Sequence, residues 1–548
     1  MRQPLANPFY YLDNFQQVLN WVGLRHGDLL DDAERGFIDR FGQLPQASQA
    51  LLVRMVMRKG TLFRASKLNY AEIGCPRAAV SDLVAQGWVN AAPVLDLTQL
   101  FALLKKDELI QALGLNVASG MRKAELLDAL RASYDGARPL SDWHAGLDDA
   151  VFELCIDPLC ERLRLMFFGN IHQEWSEFVL AELGIFRYEQ VAFASSSRAF
   201  ASRDDVDAYL RLHRCRERFE AGEVLDQIVA DIPSSPYPNE WLENRRGKLL
   251  LSVARQYERN GELSQALQLY GAIRYPGARQ RRIRALELNG ETAAALELAQ
   301  QASAAPESEA EAQQVLRMLP RLRRALGQAR ERGDAAPAVE RIDLCLARPT
   351  MDISVERAVL EHLSSDEAPV FYVENTLLNS LLGLLCWEAI FAPLPGAFFH
   401  PFHAAPADLS RADFYARRAE HFERCLQSLR DGSHGERIRQ RYREKLGTQC
   451  QFVSWGLLDE ALLELALDCL PAAHLECCFR RILIDVPNHR SGLPDLIQFW
   501  PRERRYRMIE VKGPGDRLQD NQKRWLAHAR RHDIPVVVCY VRWAEALQ

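Results

Sequence analysis

Three residues near the C-terminal end have the types and spacing needed to cut a phosphodiester with a metal ion. Asp495 follows Gly492-Leu493-Pro494, and fifteen positions later Glu510-Val511-Lys512-Gly513 supplies a Glu and a Lys. Two carboxylates hold a hard divalent cation through oxygen, and the cation polarises a phosphate and acidifies water. A lysine beside them places a compact positive charge next to the attacking water and the charge that develops on phosphorus. The intervening residues explain the spacing. Leu496 to Trp500 reads as an apolar strand, Pro501 to Arg505 as a polar turn, and Arg507 to Val511 as the return strand. Such a hairpin brings Asp495 beside Glu510, and period-two alternation puts Glu510 and Lys512 on one face.

The bare pattern occurs by chance in many proteins. Here the chain has 68 basic residues of which nine are Lys, and Glu-x-Lys occurs once. A lysine next to the carboxylate pair is therefore less expected by accident than in a lysine-rich chain. The alternative is a surface hairpin whose Glu–Lys pair contributes little. A helix over Asp520 to Arg531 and a strand over Pro535 to Val541 favour the first reading, because they complete a small mixed sheet flanked by helices.

Gly492-Leu493-Pro494-Asp495, Glu510-Val511-Lys512-Gly513-Pro514, Asp516-Arg517-Leu518, Gln522 and Trp525 together resemble the VRR-NUC domain, a branch of the PD-(D/E)xK nuclease superfamily. The chain as a whole resembles the Fanconi-associated nuclease family. That resemblance implies Mg2+ or Mn2+ bound by Asp495, Glu510 and the carbonyl of Val511, with Lys512 catalytic. It also implies an upstream acidic ligand, placed at Glu374 in Tyr372-Val373-Glu374-Asn375, ahead of the apolar run Leu377 to Trp387. A carboxylate favoured by the positive end of that helix is the plainer reading of Glu374. Gln522 is expected one turn into the following helix, facing the site. The larger eukaryotic members carry a ubiquitin-binding zinc finger that this sequence does not contain, as expected of a bacterial or minimal form.

A net charge of −5 looks unsuited to nucleic acid, but its distribution answers the objection. Arg490 to Arg531 carries eleven basic and five acidic residues, and Leu51 to Asn69 carries Arg54, Arg58, Lys59, Arg64 and Lys67 with no acid. Local patches suffice for phosphate binding. Arg490 and Arg517, flanking the motif, are candidate phosphate anchors.

A length of 548 residues predicts about three or four domains. The expected architecture is multidomain and mainly α. Residues 1–140 form an N-terminal DNA-binding part, winged-helix-like over 46–92 and SAP-like over 103–134. In the latter, Gly114-Leu115 and Gly120 flank a hairpin turn, and Lys105, Lys106, Arg122 and Lys123 would meet phosphates without reading sequence. A helical connecting region spans 141–239. Residues 240–346 read as tetratricopeptide-like repeats, because Asn260-Gly261-Glu262 recurs twenty-nine residues later as Asn289-Gly290-Glu291. Arg281 and Arg282 lie in a basic cluster of this region, and Ala304 to Ala312 reads as a linker. The α/β nuclease domain takes 371–548.

Leu377 to Phe399 is the longest apolar stretch, but Asn379, Glu388, Pro393 and Pro395 interrupt it, so it reads as core rather than a membrane span. Scattered cysteines without zinc spacing and no secretory leader suggest a cytoplasmic protein, nucleoid-associated in a bacterium. The expected activity, by resemblance, is structure-specific cleavage of branched or 5′-flapped double-stranded DNA, endonucleolytic and 5′ to 3′ exonucleolytic, in interstrand crosslink repair. Protein partners would use the repeats. Two alternatives are a Holliday-junction or restriction-type enzyme of the same superfamily, and a repeat scaffold with a vestigial nuclease domain.

Overall fold

An apolar strand, a polar turn and a return strand form the hairpin around the motif as expected. A computed structural model describes residues 7–114, 121–182, 184–194, 197–328, 339–349 and 353–544. In it the strand Leu496–Trp500 pairs antiparallel with the strand Arg505–Lys512, with Leu496 opposite Ile509. Pro501–Glu503 and Arg504, the latter at a left-handed φ of 49°, make the connection. These strands lie in a five-stranded sheet of order 341–347, 536–544, 505–512, 496–500, 370–372. Pairing is parallel on the first side of Arg505–Lys512 and antiparallel on the other. Leu496, Ile509, Val511, Val537, Cys539 and Val541 share one apolar cluster with Val359 of the helix Val355–Leu363. Met508 turns to the opposite side, toward Leu378, Trp525 and Leu526. The central strands of the sheet are therefore buried on both faces, while the edge strand Arg341–Ala347 exposes Asp343 and Cys345.

The strand Arg341–Ala347 corrects the sequence reading, which ran the repeats to Leu346 and began the catalytic domain at Phe371. Ile342, Leu344 and Leu346 alternate with period two, and parallel pairing with residues 538–544 satisfies their backbone. The sheet thus starts thirty residues before the expected boundary. Leu377–Leu385 is a helix in which every residue is buried, as its composition required. Among the described residues no helix is long and apolar enough to cross a membrane.

The chain divides into two compact units, one mainly of residues 1–187 and one holding the repeats and the nuclease sheet. In the second unit the helices Glu240–Asn260, Leu263–Ala272, Ala278–Leu288, Thr292–Ala304 and Glu309–Ala325 pack in sequence. The repeated turn is the same structure twice. Gly261 and Gly290 have φ of 85° and 83°, and the preceding Asn donates to the following Glu at 3.1 and 2.7 Å. Ala304 to Ala312 is no linker. Ser308 caps the next helix, and buried Glu311 of that helix accepts from Arg279.

In the first unit the helices Gln46–Val56 and Pro76–Ala85 alternate with short strands Leu62–Arg64 and Val89–Asn90, the winged-helix-like order expected. The strand between those two in the sheet is Val151–Leu154, contributed from far along the chain and absent from the sequence reading. The SAP-like part has helices Leu97–Leu103, Lys106–Ala112 and Lys123–Leu130 around Leu100, Leu104, Leu109 and Leu126. Leu115 and Gly120 lie outside the described residues.

Candidate active site

Sheet register assembles the motif. Leu496 faces Ile509, so Asp495 and Glu510 occupy the next opposed positions, and Lys512 returns to their face. The Val511 amide donates to Asp495 Oδ2 at 2.8 Å, tying the side chain of one strand to the backbone of the other. Lys512 Nζ stands 2.6 Å from Glu510 Oε1. Asp495, Glu510 and Lys512 are 7%, 1% and 8% exposed, too buried for a surface ion pair of little consequence. Gly492 is required on two counts. Its φ is 85°, and a Cβ there would lie 2.8 Å from the Asn521 side chain and 2.9 Å from its backbone. The loop carrying Asp495 is thereby seated on the start of the helix Asp520–Arg531. Beyond Lys512, the Gly513 amide donates to Asp516 Oδ2 at 2.9 Å.

Burial dominates the electrostatics. It pushes the Asp495 carboxyl up to about 6, against the opposing pull of the Val511 amide and Lys512, with Glu374 and Glu356 adding repulsion. Glu510 is pushed up to about 7 by burial, with the Asp495 charge second and Lys512 opposing. Two crowded carboxylates that resist ionisation are what a divalent cation relieves. Glu510 Oε1 meets the lysine in distance but makes no aligned hydrogen bond, so it keeps capacity to coordinate. These residues fit a hard cation.

Glu374 sits just past the strand Val370–Tyr372, where the Val373 amide donates to the Asp495 carbonyl at 2.8 Å. Its charge reaches both Asp495 and Glu510, but its oxygens are already engaged. Tyr372 Oη donates to Oε2 at 2.6 Å and Asn375 Nδ2 to Oε1 at 3.1 Å. Among the described residues no three His, Cys, Asp or Glu side chains converge into a closed metal cage. Glu374 is satisfied on both oxygens and Asp495 Oδ2 by the Val511 amide, while Glu510 Oε1 has no aligned donor; for Val511 it is the amide that is seen to engage the site. Gln522 is buried, but its Oε1 accepts from the Gln519 amide at 2.8 Å and caps the helix, so its oxygen serves the helix start. Sequence reasoning missed Glu356, Tyr372 and Asn375. A Ser-x-Glu at a helix start and an Asn before an apolar helix were the only signals.

The basic candidates separate by whether they already have partners. Arg64 is a correction. It is buried, gives Nη1 and Nη2 to Glu108 at 2.7 and 2.8 Å and Nε to Asp149 at 2.7 Å, and is not available to a phosphate. Arg54 pairs with Glu72 at 2.6 Å and lies 3.7 Å over the Tyr11 ring, and Arg58 donates to the Lys67 carbonyl at 3.0 Å. Lys106 and Lys123 clamp the SAP-like hairpin through the carbonyls of Met121 and Leu104 at 2.5 and 2.6 Å. Arg122 pairs with Glu125, and Arg281 with Glu258, both at 2.6 Å. Arg490 donates to the Gln451 carbonyl and stacks 4.7 Å over Phe452. Lys59, Lys67, Lys105, Arg282 and Arg517 present exposed side chains.

Residues 429–543 match the VRR-NUC domain family, which makes the C-terminal part a nuclease domain of that class, one that generally depends on a divalent metal. That match begins after Glu374. Residues 9–90 match the family described as FAN1, HTH domain, and 94–143 match the Fanconi anemia-associated nuclease SAP domain. Over 540 residues the chain is 59% identical to a Fanconi-associated nuclease 1 homolog of Pseudomonas aeruginosa, covering 98% of this chain and 97% of that one. A homolog from Arabidopsis thaliana is 26% identical over 627 residues, covering 100% of this chain and 68% of its own. The chain belongs to the Fanconi-associated nuclease family. Its fold is similar to that of paFAN1 in a crystal structure bound to 5′-flap DNA with a 2-nt flap and a gap. The TM-score is 0.95 at 58% identity, over 99% of this chain and 100% of the other. A second structure, with a 1-nt flap, gives 0.92 at 58%, over 98% and 100%.

Proposed function

We propose that this nuclease cuts 5′-flapped or branched double-stranded DNA in interstrand crosslink repair, as endonuclease and 5′ to 3′ exonuclease, with Mg2+ or Mn2+. The observation that carries the site assignment is the buried Asp495–Glu510 pair with Lys512 on the same sheet face. The near-complete similarity to paFAN1 bound to 5′-flap DNA supports the substrate.

Asp495 and Glu510 would hold the cation, with Glu374 as third carboxylate and the Val511 carbonyl as backbone ligand. Once bound, the cation supplies charge to polarise the scissile phosphate and to acidify water. Lys512 orients the attacking water and meets the charge developing on the phosphate. The apolar floor under the motif, with Met508, Leu493 and Trp525, keeps bulk water away from one side. Arg517, exposed just beyond Lys512, is the leading phosphate contact near the cut, and Lys59, Lys67 and Lys105 are the leading ones in the N-terminal unit.

Cleavage of an end-labelled panel of 5′ flap, 3′ flap, four-way junction and single strand tests this reading, with wild type and Asp495→Ala compared with and without Mg2+. Preferred, metal-dependent cutting of the 5′ flap that Asp495→Ala abolishes is expected. Cleavage retained in Asp495→Ala overturns the site, and preference for four-way DNA overturns the substrate.

A further inference from the structure

We propose that Asn375 is a positioning residue that holds the Glu374 carboxylate in register with the loop carrying Asp495. The inference rests on the reading of Glu374, Asp495 and Glu510 as metal ligands.

The chain leaves the edge strand Val370–Tyr372 through a tight turn in which the Thr376 amide donates to the Val373 carbonyl at 3.0 Å. Glu374 and Asn375 are the two central residues. Asn375 has a φ of 53°, the left-handed value that the second central residue of a type II turn requires. Glycine fits such a position without strain, and Asn is among the side chains that tolerate it best. The turn alone therefore gives no reason for a side chain here.

The contacts supply the reason. Nδ2 donates to Glu374 Oε1 at 3.1 Å while Oδ1 accepts from the Leu493 amide at 3.1 Å. Leu493 is two residues before Asp495. One planar amide thus couples the Glu374 carboxylate to the Gly-Leu-Pro-Asp loop. Its own backbone carbonyl accepts from Asn379 Nδ2 at 2.7 Å, and the same nitrogen donates to the Arg490 carbonyl at 2.9 Å. Asn379 is 2% exposed, so this second link is held rigidly by the buried helix. Tyr372 Oη fixes the other oxygen, Glu374 Oε2, at 2.6 Å. Glu374 is oriented on both oxygens, and a metal ligand oriented in this way loses no freedom when the cation arrives.

Asn375→Gly is the discriminating variant, because it suits the left-handed turn while deleting both amide contacts. The melting temperature should stay within a few degrees of wild type, because glycine's ease in the left-handed turn offsets part of the two lost hydrogen bonds. Mn2+ titration of the full chain without DNA, read from the free-ion EPR signal, should show half-saturation raised by about tenfold. Cleavage at limiting Mn2+ should fall by a similar factor and recover at saturating Mn2+. Tyr372→Phe, which touches only the other oxygen, should move half-saturation in the same direction. Unchanged Mn2+ half-saturation in Asn375→Gly overturns the proposal, whatever Tyr372→Phe does, provided Glu374→Gln weakens binding. If Glu374→Gln binds Mn2+ as wild type does, it is the ligand assignment that fails.

Discussion

Lys512 Nζ lies 2.6 Å from Glu510 Oε1 on the same face of one strand, with both residues buried. The ammonium is held by a carboxylate that is itself a proposed metal ligand, so its place depends on the site and not on the substrate. Lys512→Ala should lower single-turnover cleavage of a 5′ flap by about 10²–10³-fold and leave DNA affinity nearly unchanged. Lys512→Arg should not restore the rate, because a planar fork cannot occupy a point-charge position. A rate within a few-fold of wild type for Lys512→Ala would remove the lysine from the chemistry.

The active site should cost stability in the metal-free protein. Asp495 and Glu510 have carboxyl pKa values raised to about 6 and about 7, so between the ordinary carboxylate range and those values the folded state binds more protons than the unfolded. Their contribution therefore falls as pH rises through that window. Asp495→Asn keeps an acceptor for the Val511 amide and removes the charge. At pH 8 without metal it should be more stable than wild type by roughly 1–2 kcal/mol, and the gain should shrink at pH 5. Thermal melts at the two pH values check this; a variant less stable at pH 8 contradicts it.

Cation binding should be steeply pH-dependent for the same reason. Both carboxyls must ionise to ligate, so metal displaces their protons. Apparent Mn2+ affinity should rise from pH 5.5 to pH 7.5 and level off above about 8, with proton release measurable by calorimetry in buffers of different ionisation heat. An affinity flat across that range would place the cation elsewhere.

In the N-terminal unit Arg64 is expected to matter for folding rather than for DNA. Arg64→Met leaves Asp149 and Glu108 without their shared cation and should destabilise by about 3 kcal/mol. Glu108 is held down to about 2 chiefly by Arg64, so the stability this pair contributes is present above pH 4.5 and is lost as pH falls toward 2. The gap between wild type and variant in denaturant melts should be clearly smaller at pH 3 than at pH 7.

Exposed and partnered cations should differ in the salt dependence of DNA binding. Arg517→Ala and Lys67→Ala should each reduce the slope of log affinity against log salt by about one. Arg281→Ala should leave it unchanged, since its guanidinium already pairs with Glu258. Equal effects from all three would mean that Glu258 releases Arg281 on binding.

The motif, its hairpin and the Asn-Gly-Glu repeat were legible in the linear sequence because each is local. Strand alternation places Asp495, Glu510 and Lys512 on one face whatever surrounds them, and a left-handed glycine closes a repeat turn from within. Contacts between distant segments were not legible. Arg64 looked like a phosphate-binding residue until Glu108 and Asp149 folded onto it, and Arg281 until Glu258 did. Arg341–Ala347 read as part of a helical region until residues 538–544 offered it a parallel partner. Asn375 carried no reading in the sequence; only the turn places its amide between Glu374 and Leu493. Sequence determined which chemistry the chain can perform, through residue type and period. Tertiary structure decided which charges remain free to perform it, because a buried charge must find its counter-charge and only the fold determines which one is near.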